Sequence, residues 1–202
     1  FQAEDGIRDI HCSLVGSEMC IRDRGYIEET GAAQHFRDAR ILPIYEGTNG
    51  IQAIDLVTRK LPLADGAVVA AYIGELRAAV DEVRASNQAE FGKMAERLGE
   101  AVDALEAATQ FMGEKLQSDP EAALAGATPY LQLFGLAAGG IYLARGALAE
   151  IRSGTASEGP ARHVLTARFF AEQVAVAASG CAQSVIAGAD VFREVTPDRL
   201  SA

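Results

Sequence analysis

Residues 130–148 read YLQLFGLAAGGIYLARGAL and form the centre of the third long helical pattern in the chain. No charged residue occurs from Ala122 to Ala144, so a membrane-spanning helix is conceivable. The same stretch contains a proline, polar side chains and several glycines, and a buried central helix explains these features equally well. The glycines that would let neighbouring helices approach closely are Gly135, Gly139 and Gly140. We therefore predict a core helix and no membrane span.

Four long helical patterns follow one another between residues 64 and 202, over about 66–86, 89–117, 120–152 and 159–193. Turn and N-cap residues separate them, and apolar residues recur at the steps of a helix that buries one face. These apolar stripes are Ile73, Leu76, Val80 and Val83; Phe91, Met94, Leu98, Val102, Leu105, Met112 and Leu116; and Phe170, Val174, Cys181, Val185 and Phe192. With no strand signal, the sequence predicts an all-α fold, an antiparallel helical bundle.

The charge balance narrows the class of protein. Acidic residues outnumber basic ones, 28 to 18, and the net charge is −10. An acidic chain repels phosphate backbones, which argues against a nucleic-acid partner. The three cysteines and three histidines have no metal-ligand spacing, so we predict no metal site and no disulfide framework. A cytoplasmic localisation is the default for such cysteine usage.

Upstream of the bundle, residues 40–61 read RILPIYEGTNGIQAIDLVTRKL, with a single carboxylate, Glu46, between an apolar run and a glycine-flanked turn. Thr48 or Asn49 is a suitable N-cap for a helix that runs through about Lys60. Its apolar positions at near-helical spacing are Ile51, Ile54, Val57 and Leu61. Two interpretations of Glu46 are open. It is a solvated acid in a capped surface turn, or a base whose pKa is raised by apolar surroundings.

Residues 36–61, FRDARILPIYEGTNGIQAIDLVTRKL, resemble the C-terminal signature of the flavin-dependent acyl-CoA dehydrogenases. The resemblance implies oxidation of an acyl-CoA thioester to a trans-2-enoyl-CoA, with FAD as cofactor and an electron-transfer flavoprotein as partner. It implies that Glu46 is the catalytic base and that Gly47 lies against the substrate thioester. Thr48 and Asn49 are implied to contact FAD.

Residues 26–61 and the helical tail are most similar to a larger bacterial subgroup with an extra C-terminal helical domain, which includes the 3-methylmercaptopropionyl-CoA dehydrogenases. We therefore assign residues 25–63 to the end of the catalytic helical domain and residues 64–202 to the extra bundle. The family's preceding domains are absent, so the chain alone is expected to be inactive. A homo-oligomer is expected, because relatives are dimers or tetramers. The alternative function is a non-catalytic helical module for oligomerisation or partner binding.

Residues 1–24, FQAEDGIRDIHCSLVGSEMCIRDR, have neither helical nor strand periodicity. Gln2 to Asp9 resembles the translation of a sequencing flow-cell adapter, and Leu14 to Asp23 that of a transposase library adapter. We expect this segment to be adapter-derived, disordered and without function, and the gene to be truncated just before Gly25.

Other reactive side chains have structural interpretations. Cys181 lies on an alanine-rich face and is expected to be buried and inert. Arg168 is expected to pair with Glu172, four residues away. His163 has no partner at catalytic spacing and is expected to be a structural or surface histidine.

Overall fold

The computed structural model of the chain describes residues 28–42, 48–86, 88–153 and 162–195. Within these ranges the secondary structure is helical and no strand occurs, which confirms the all-α prediction. The α-helices are α1 (Ala32–Ile41), α2 (Asn49–Asp55), α3 (Ala67–Ser86), α4 (Met94–Ser118), α5 (Pro120–Ala125), α6 (Ala127–Ser153), α7 (Arg162–Phe169), α8 (Ala178–Ile186) and α9 (Asp190–Glu194). Short 3-10 segments span Glu28–Thr30, Leu63–Gly66, Ala89–Phe91 and Ala175–Ala177, and π segments span Leu56–Lys60 and Phe170–Val174.

The chain forms two compact units, residues 1–52 and 53–202. The first contains α1 and the start of α2, and the second contains the bundle. The domain ranges 25–63 and 64–202 stay predictions, and the adapter-like residues 1–24 lie outside the described residues.

Helices α4 and α6 form the central pair of the bundle and run in opposite directions. The Thr109 and Tyr130 hydroxyl oxygens are 2.8 Å apart. Towards the opposite end of α4, Leu98 meets Gly140. Residue numbers therefore rise along one helix as they fall along the other, as expected for an antiparallel pair.

Helix α3 packs against both α4 and α6, and it lies parallel to α6. The Tyr72 and Tyr142 hydroxyls are 3.3 Å apart, and Arg152 donates to Glu82 at 3.0 Å. The helix running from Arg162 to Ile186 (α7, the π and 3-10 segments and α8) also packs against both central helices. It therefore flanks the central pair, as α3 does.

Buried side chains follow the predicted stripes over most of the bundle. The four stripe residues of α3 are at most 4% exposed, and the residues of the second stripe from Phe91 to Met112 are at most 3% exposed. Leu116 and Phe170 are half-buried against this core. The stripes therefore identify the core correctly in these helices.

The last predicted stripe is wrong at its end. Phe192 is 67% exposed, whereas Val185 is fully buried. Gly188 adopts φ +71, a left-handed turn that ends the long helix before α9 begins. Because this turn breaks the helical phase, residues beyond it no longer continue the buried stripe.

The predicted third helix is likewise interrupted, as α5 and α6. Asp119 accepts a hydrogen bond from the Ala122 amide at 3.3 Å, and Pro120 occupies the first turn of α5. Helix α5 thus begins with Asp119 as its N-cap. It ends before Gly126, and α6 begins directly after that glycine.

Two helices, α6 and Arg162–Ile186, are long and apolar enough to cross a membrane by length and composition alone. Core helices of bundles meet the same criterion. Helix α6 contributes buried side chains from Ala127 to Leu148, as the core-helix prediction requires. The absence of a membrane span stays a prediction.

Close helix approach depends on one of the three predicted glycines. A Cβ on Gly140 would overlap Leu98 and would lie 3.3 Å from Phe170 Cε1. A Cβ on Gly139 would make an ordinary contact at 3.7 Å, and one on Gly135 would meet nothing within 4 Å. Gly140 is therefore the point where α4, α6 and the last long helix come together.

We expect Gly140→Ala and Gly135→Ala to shift stability in opposite directions. The methyl group at position 140 overpacks the core at a cost of about 1–3 kcal/mol, against roughly 1 kcal/mol gained in helix propensity. At the exposed position 135 only the gain applies. Urea unfolding of the full chain, followed by circular dichroism, measures both changes. Equal shifts of the two midpoints would contradict the close approach at Gly140.

Candidate functional site

The glycine-flanked turn leads into a helix, as predicted. Helix α2 begins at Asn49, and the Gln52 amide donates to the Thr48 carbonyl at 3.1 Å. Thr48 and Asn49 are both exposed. Glu46 and Gly47 lie outside the described residues, so their predicted roles stay predictions. The structure thus places two of the four predicted site residues together, at a helix start.

The buried face of α2 and its π continuation differs from the predicted stripe. Ala53, Val57 and Leu61 are buried, whereas Ile51 and Ile54 are 56% and 42% exposed. The buried residues recur every four positions, and Ile51 and Ile54 lie off that row. The prediction was correct for Val57 and Leu61 and wrong for the two isoleucines.

The π segment has an identifiable local geometry. The Leu61 amide donates to the Leu56 carbonyl at 2.8 Å, a wider ring than that of an α-helix. The Thr58 hydroxyl donates to the Ile54 carbonyl at 2.8 Å, a side-chain bond that often bends helices. Asp55 pairs with Arg59 at 2.8 Å on the same turn. These contacts define the local geometry of the π segment that follows α2.

A groove of about 930 Å³ lies between α3 and the C-terminal half of α4, within the second unit. Leu61 and Ile73 are among its apolar lining residues. Its charged lining residues are Asp65, Arg77, Glu106 and Glu114. Three carboxylates against one guanidinium disfavour an anionic ligand. Helical stripes do not reveal this groove, because it results from small residues on the facing sides of the two helices.

Arg77 in this groove is already engaged by acids of α4. Its guanidinium lies 2.7 Å from the Asp103 carboxylate and 2.6 Å from that of Glu106. Both bonds cross from α3 to α4, so Arg77 links the two helices rather than presenting a free cation.

Glu172 caps the neighbouring helix. Its carboxylate accepts the Lys93 amide at 3.0 Å, just before α4, and pairs with Arg168 at 2.9 Å. The backbone bond from Lys93 is the largest cause that lowers the pKa of Glu172, and Arg168 adds to it. The predicted Arg168–Glu172 pair is confirmed, and its structural role extends to the start of α4.

The Glu150 carboxylate likewise accepts a backbone amide, at the start of α7. It accepts the His163 amide at 2.9 Å, and the His163 Nδ1 atom lies 3.3 Å from the carboxylate. Desolvation would raise the pKa of Glu150, but the hydrogen bonds from His163 and the Val164 amide together lower it. His163 thus has a structural partner, in agreement with the prediction.

Two further titratable groups have shifted pKa values. Cys181 is half-buried, and desolvation raises the pKa of its thiol, which keeps it a weak nucleophile at neutral pH. Desolvation and the bond to Tyr142 raise the pKa of Tyr72 to about 12. Neither is activated for chemistry. Among residues 28–42, 48–86, 88–153 and 162–195, no cluster of three His, Cys, Asp or Glu side chains could hold a metal ion.

The chain thus contains a helical bundle domain, and the bundle follows the helix α2 that begins at Asn49. The chain belongs to the family described as acetyl-CoA dehydrogenase C-terminal like, which matches residues 67–195. The matched region covers the four long helices of the bundle. The family match thus begins six residues after the stretch 36–61 whose resemblance was noted above.

Two bacterial relatives are similar in sequence. A 3-methylmercaptopropionyl-CoA dehydrogenase of Ruegeria pomeroyi is 43% identical over 158 residues, which is 77% of this chain and 27% of that protein. A broad-specificity linear acyl-CoA dehydrogenase of Mycobacterium tuberculosis is 32% identical over 76 residues, 38% of this chain and 12% of that protein. The chain thus aligns with about a quarter of the first relative and less of the second.

Glu172→Gln is expected to lower stability at pH 7 and to flatten its dependence on acid pH. Because the folded pKa lies below the ordinary value of 4.5, Glu172 stabilises the fold above pH 4.5, and this contribution is lost as pH falls through the folded pKa. Urea midpoints at pH 7 and pH 3.5 measure the change.

The matched control is Glu114→Gln, an exposed carboxylate to which the structure assigns no ion pair. This control should keep the acid dependence of the wild type. If both variants keep it, Glu172 does not act as the cap described here.

Proposed function

We propose that the chain is part of an FAD-dependent acyl-CoA dehydrogenase that converts an acyl-CoA thioester to a trans-2-enoyl-CoA. The observation that carries this proposal is the family match over residues 67–195 directly after the signature of residues 36–61. The names of both relatives, each an acyl-CoA-type dehydrogenase, support it.

Exposed apolar side chains in the first unit are consistent with this proposal. Ile41 and Leu42, which precede Glu46 in the chain, are 49% and 61% exposed. Phe36 and Ile51 are also exposed. Apolar surface on this scale is available to line a substrate pocket in a larger protein. A carboxylate held against such surface is the stronger base that removal of a carbon-bound proton needs.

The residues at the start of α2 fit contacts to a flavin cofactor. Thr48 offers a hydroxyl and Asn49 an amide, and both are exposed. The first amides of a helix have no partner within the helix, so they suit an anionic or carbonyl group of a ligand. FAD, when bound, would supply the acceptor chemistry for the β-hydride of the substrate.

In this proposal Glu46 removes the α-proton of the thioester, and Gly47, which lacks a Cβ, lets the thioester approach the backbone. Thr48 and Asn49 hold the cofactor beside it. The groove between α3 and α4 is not the thioester site, because its carboxylates would repel the phosphates of CoA. An electron-transfer flavoprotein as electron acceptor, a homo-oligomeric enzyme and a cytoplasmic localisation belong to the same proposal.

A non-catalytic module for oligomerisation or partner binding is the second candidate. The exposed apolar residues Phe169 and Val176 on the last long helix favour it, because they lie outside the bundle core. In that case Glu46 would have no role in turnover.

Glu46→Gln in the complete parent enzyme is expected to lower kcat by about 10²–10⁴-fold, the usual contribution of a positioned general base. The amide has the shape of the carboxylate but cannot accept the proton. Steady-state reduction of an artificial electron acceptor by an acyl-CoA measures the loss, and flavin absorbance reports that the cofactor is still bound.

The control is Glu29→Gln, which makes the same chemical change at an exposed carboxylate. We expect kcat within about twofold of the wild type for this variant. Unchanged turnover in Glu46→Gln would remove Glu46 as the base, whereas a complete wild-type parent without turnover would favour the non-catalytic module.

A further inference from the structure

The groove between α3 and the C-terminal half of α4 has two chemically different ends. Helix α3 is parallel to α6 and therefore antiparallel to α4, so residue numbers of the lining rise along one wall as they fall along the other. At one end lie Arg77 and Glu106, whose side chains are 2.6 Å apart. Towards the other end the groove is lined by Asp65 and Glu114.

The charges at the Arg77 end are already balanced. Arg77 pairs with Asp103 at 2.7 Å as well as with Glu106, and both bonds join α3 to α4. Of the described residues that line the groove, Arg77 alone is basic. A ligand therefore finds no free positive charge in the groove.

The two carboxylates at the other end remain available. Among the residues that the structure describes, neither Asp65 nor Glu114 takes part in an ion pair, and both are exposed. Lys115, the next residue after Glu114, lies instead over the Phe111 ring, with its Nζ atom 5.8 Å from the ring centroid. This end of the groove thus carries negative charge that no neighbouring cation neutralises.

An uncommon backbone turn holds Asp65 at the groove. Ala64 and Asp65 have φ +50 and φ +55, and Gly66 follows with φ +85. The Asp65 amide donates to the Pro62 carbonyl at 3.1 Å within this turn. Left-handed backbone is uncommon at residues other than glycine and is concentrated at sites that bind ligands.

The middle of the groove is apolar and open. Leu61 and Ile73, each 4% exposed, form part of its apolar base. Gly74 of α3 and Gly113 of α4 line it from opposite walls, and a Cβ on either would meet nothing within 4 Å. The missing side chains therefore leave space beside the apolar base.

The size of the groove favours a small elongated ligand. Its α3 wall runs from Ala67 to Arg77, about 15 Å at the rise of an α-helix. Its volume of about 930 Å³ lies within the range of small-molecule sites. The Arg77 ion pairs bound the space at one end, which suits a short molecule better than a helix of another protein that would lie across both ends.

We propose that this groove binds an amphipathic organic cation, a primary ammonium group on a linear apolar chain. The ammonium group contacts the carboxylates of Asp65 and Glu114, and the chain lies over Ile73 between Gly74 and Gly113. Such a ligand has the opposite charge to acyl-CoA. The inference therefore concerns a second site and does not depend on the dehydrogenase function.

Charge complementarity selects the cation among possible occupants. A carboxylate on the same chain would meet the acids of the groove in a protein whose net charge is already −10. An exposed ion pair contributes little free energy by itself, so the apolar chain must supply the rest by covering the apolar base. Both parts of the ligand are needed, which sets it apart from a polyamine without apolar surface.

Titration of the full chain with octylamine at pH 7 tests the proposal, followed by the amide chemical shifts of Gly74 and Gly113 in NMR spectra. Octanol and octanoate carry the same chain without charge and with the opposite charge. We expect a dissociation constant of roughly 1 mM for octylamine, ordinary for a ligand of so few atoms. It should be at least about tenfold tighter than that of octanoate and should weaken in high salt, which screens exposed charges.

The charge test is the double variant Asp65→Asn with Glu114→Gln. Asparagine tolerates left-handed backbone, so the turn is kept while both charges are removed. Octylamine affinity should fall about fivefold, towards that of octanol. The matched control, Glu90→Gln with Glu96→Gln, removes the same charge from exposed carboxylates outside the groove and should change the affinity by less than about twofold.

The apolar part is tested by Gly74→Leu, which fills the middle of the groove and should weaken octylamine and octanol alike, by at least about fivefold. Gly180→Leu is the control, because Gly180 is also an exposed helical glycine whose Cβ would meet nothing within 4 Å, and it lies outside the groove. Circular dichroism establishes that both variants fold.

Four results would overturn the proposal. One is the absence of saturable octylamine binding. A second is octanoate binding as tight as that of octylamine, which would assign the groove to apolar chains of any charge. A third is equal weakening by the two double variants, which would indicate general attraction of cations to an acidic chain. The last is octylamine binding that leaves the Gly74 and Gly113 amides unshifted or survives Gly74→Leu unchanged.

Discussion

The bundle depends on how closely α6 approaches α4 and the last long helix. At Gly140 no side chain separates the α6 backbone from Leu98 and Phe170. Other buried residues of α6 also have small side chains, since Ala137, Ala144 and Ala147 are fully buried. Small residues bring backbones together and increase dispersion contacts, so they add close packing to a core whose larger buried side chains include Leu98, Leu105 and Tyr130. An alanine-rich sequence without tryptophan favours this close packing of helices.

Carboxylates at helix ends complete the architecture. Glu172 receives the amide before α4, Glu150 receives the first amides of α7, and Asp119 caps α5. Asp119 also pairs with Arg193 of α9 at 2.6 Å. These carboxylates accept hydrogen bonds at helix N-termini, where the helix dipole favours a negative charge. The ends of the long helices are thereby fixed to their neighbours.

Periodicity predicted the helices and most of the core, because burial in a bundle depends on one repeating step. It failed beyond Gly188, where a left-handed turn changes the helical phase before Phe192, and at Ile51 and Ile54, which lie off the buried row of α2. It also could not show that α3 and α6 are parallel neighbours, because only contacts between residues distant in sequence, such as Tyr72–Tyr142, determine that arrangement. For the candidate site, the turn chemistry correctly placed Thr48 and Asn49 at a helix start. The roles of Glu46 and Gly47 depend on resemblance, and no spacing rule could supply them.

The hydroxyl contact between Thr109 and Tyr130 restricts the register in which α4 and α6 pack. Tyr130 is fully buried, and its phenol finds its partner only when α4 and α6 are in the observed register. In a bundle slipped by one turn, that phenol would be left in hydrocarbon without a partner, at a cost of roughly 1–3 kcal/mol. This buried polar pair therefore acts together with the Leu98–Gly140 contact to select one register of α4 and α6.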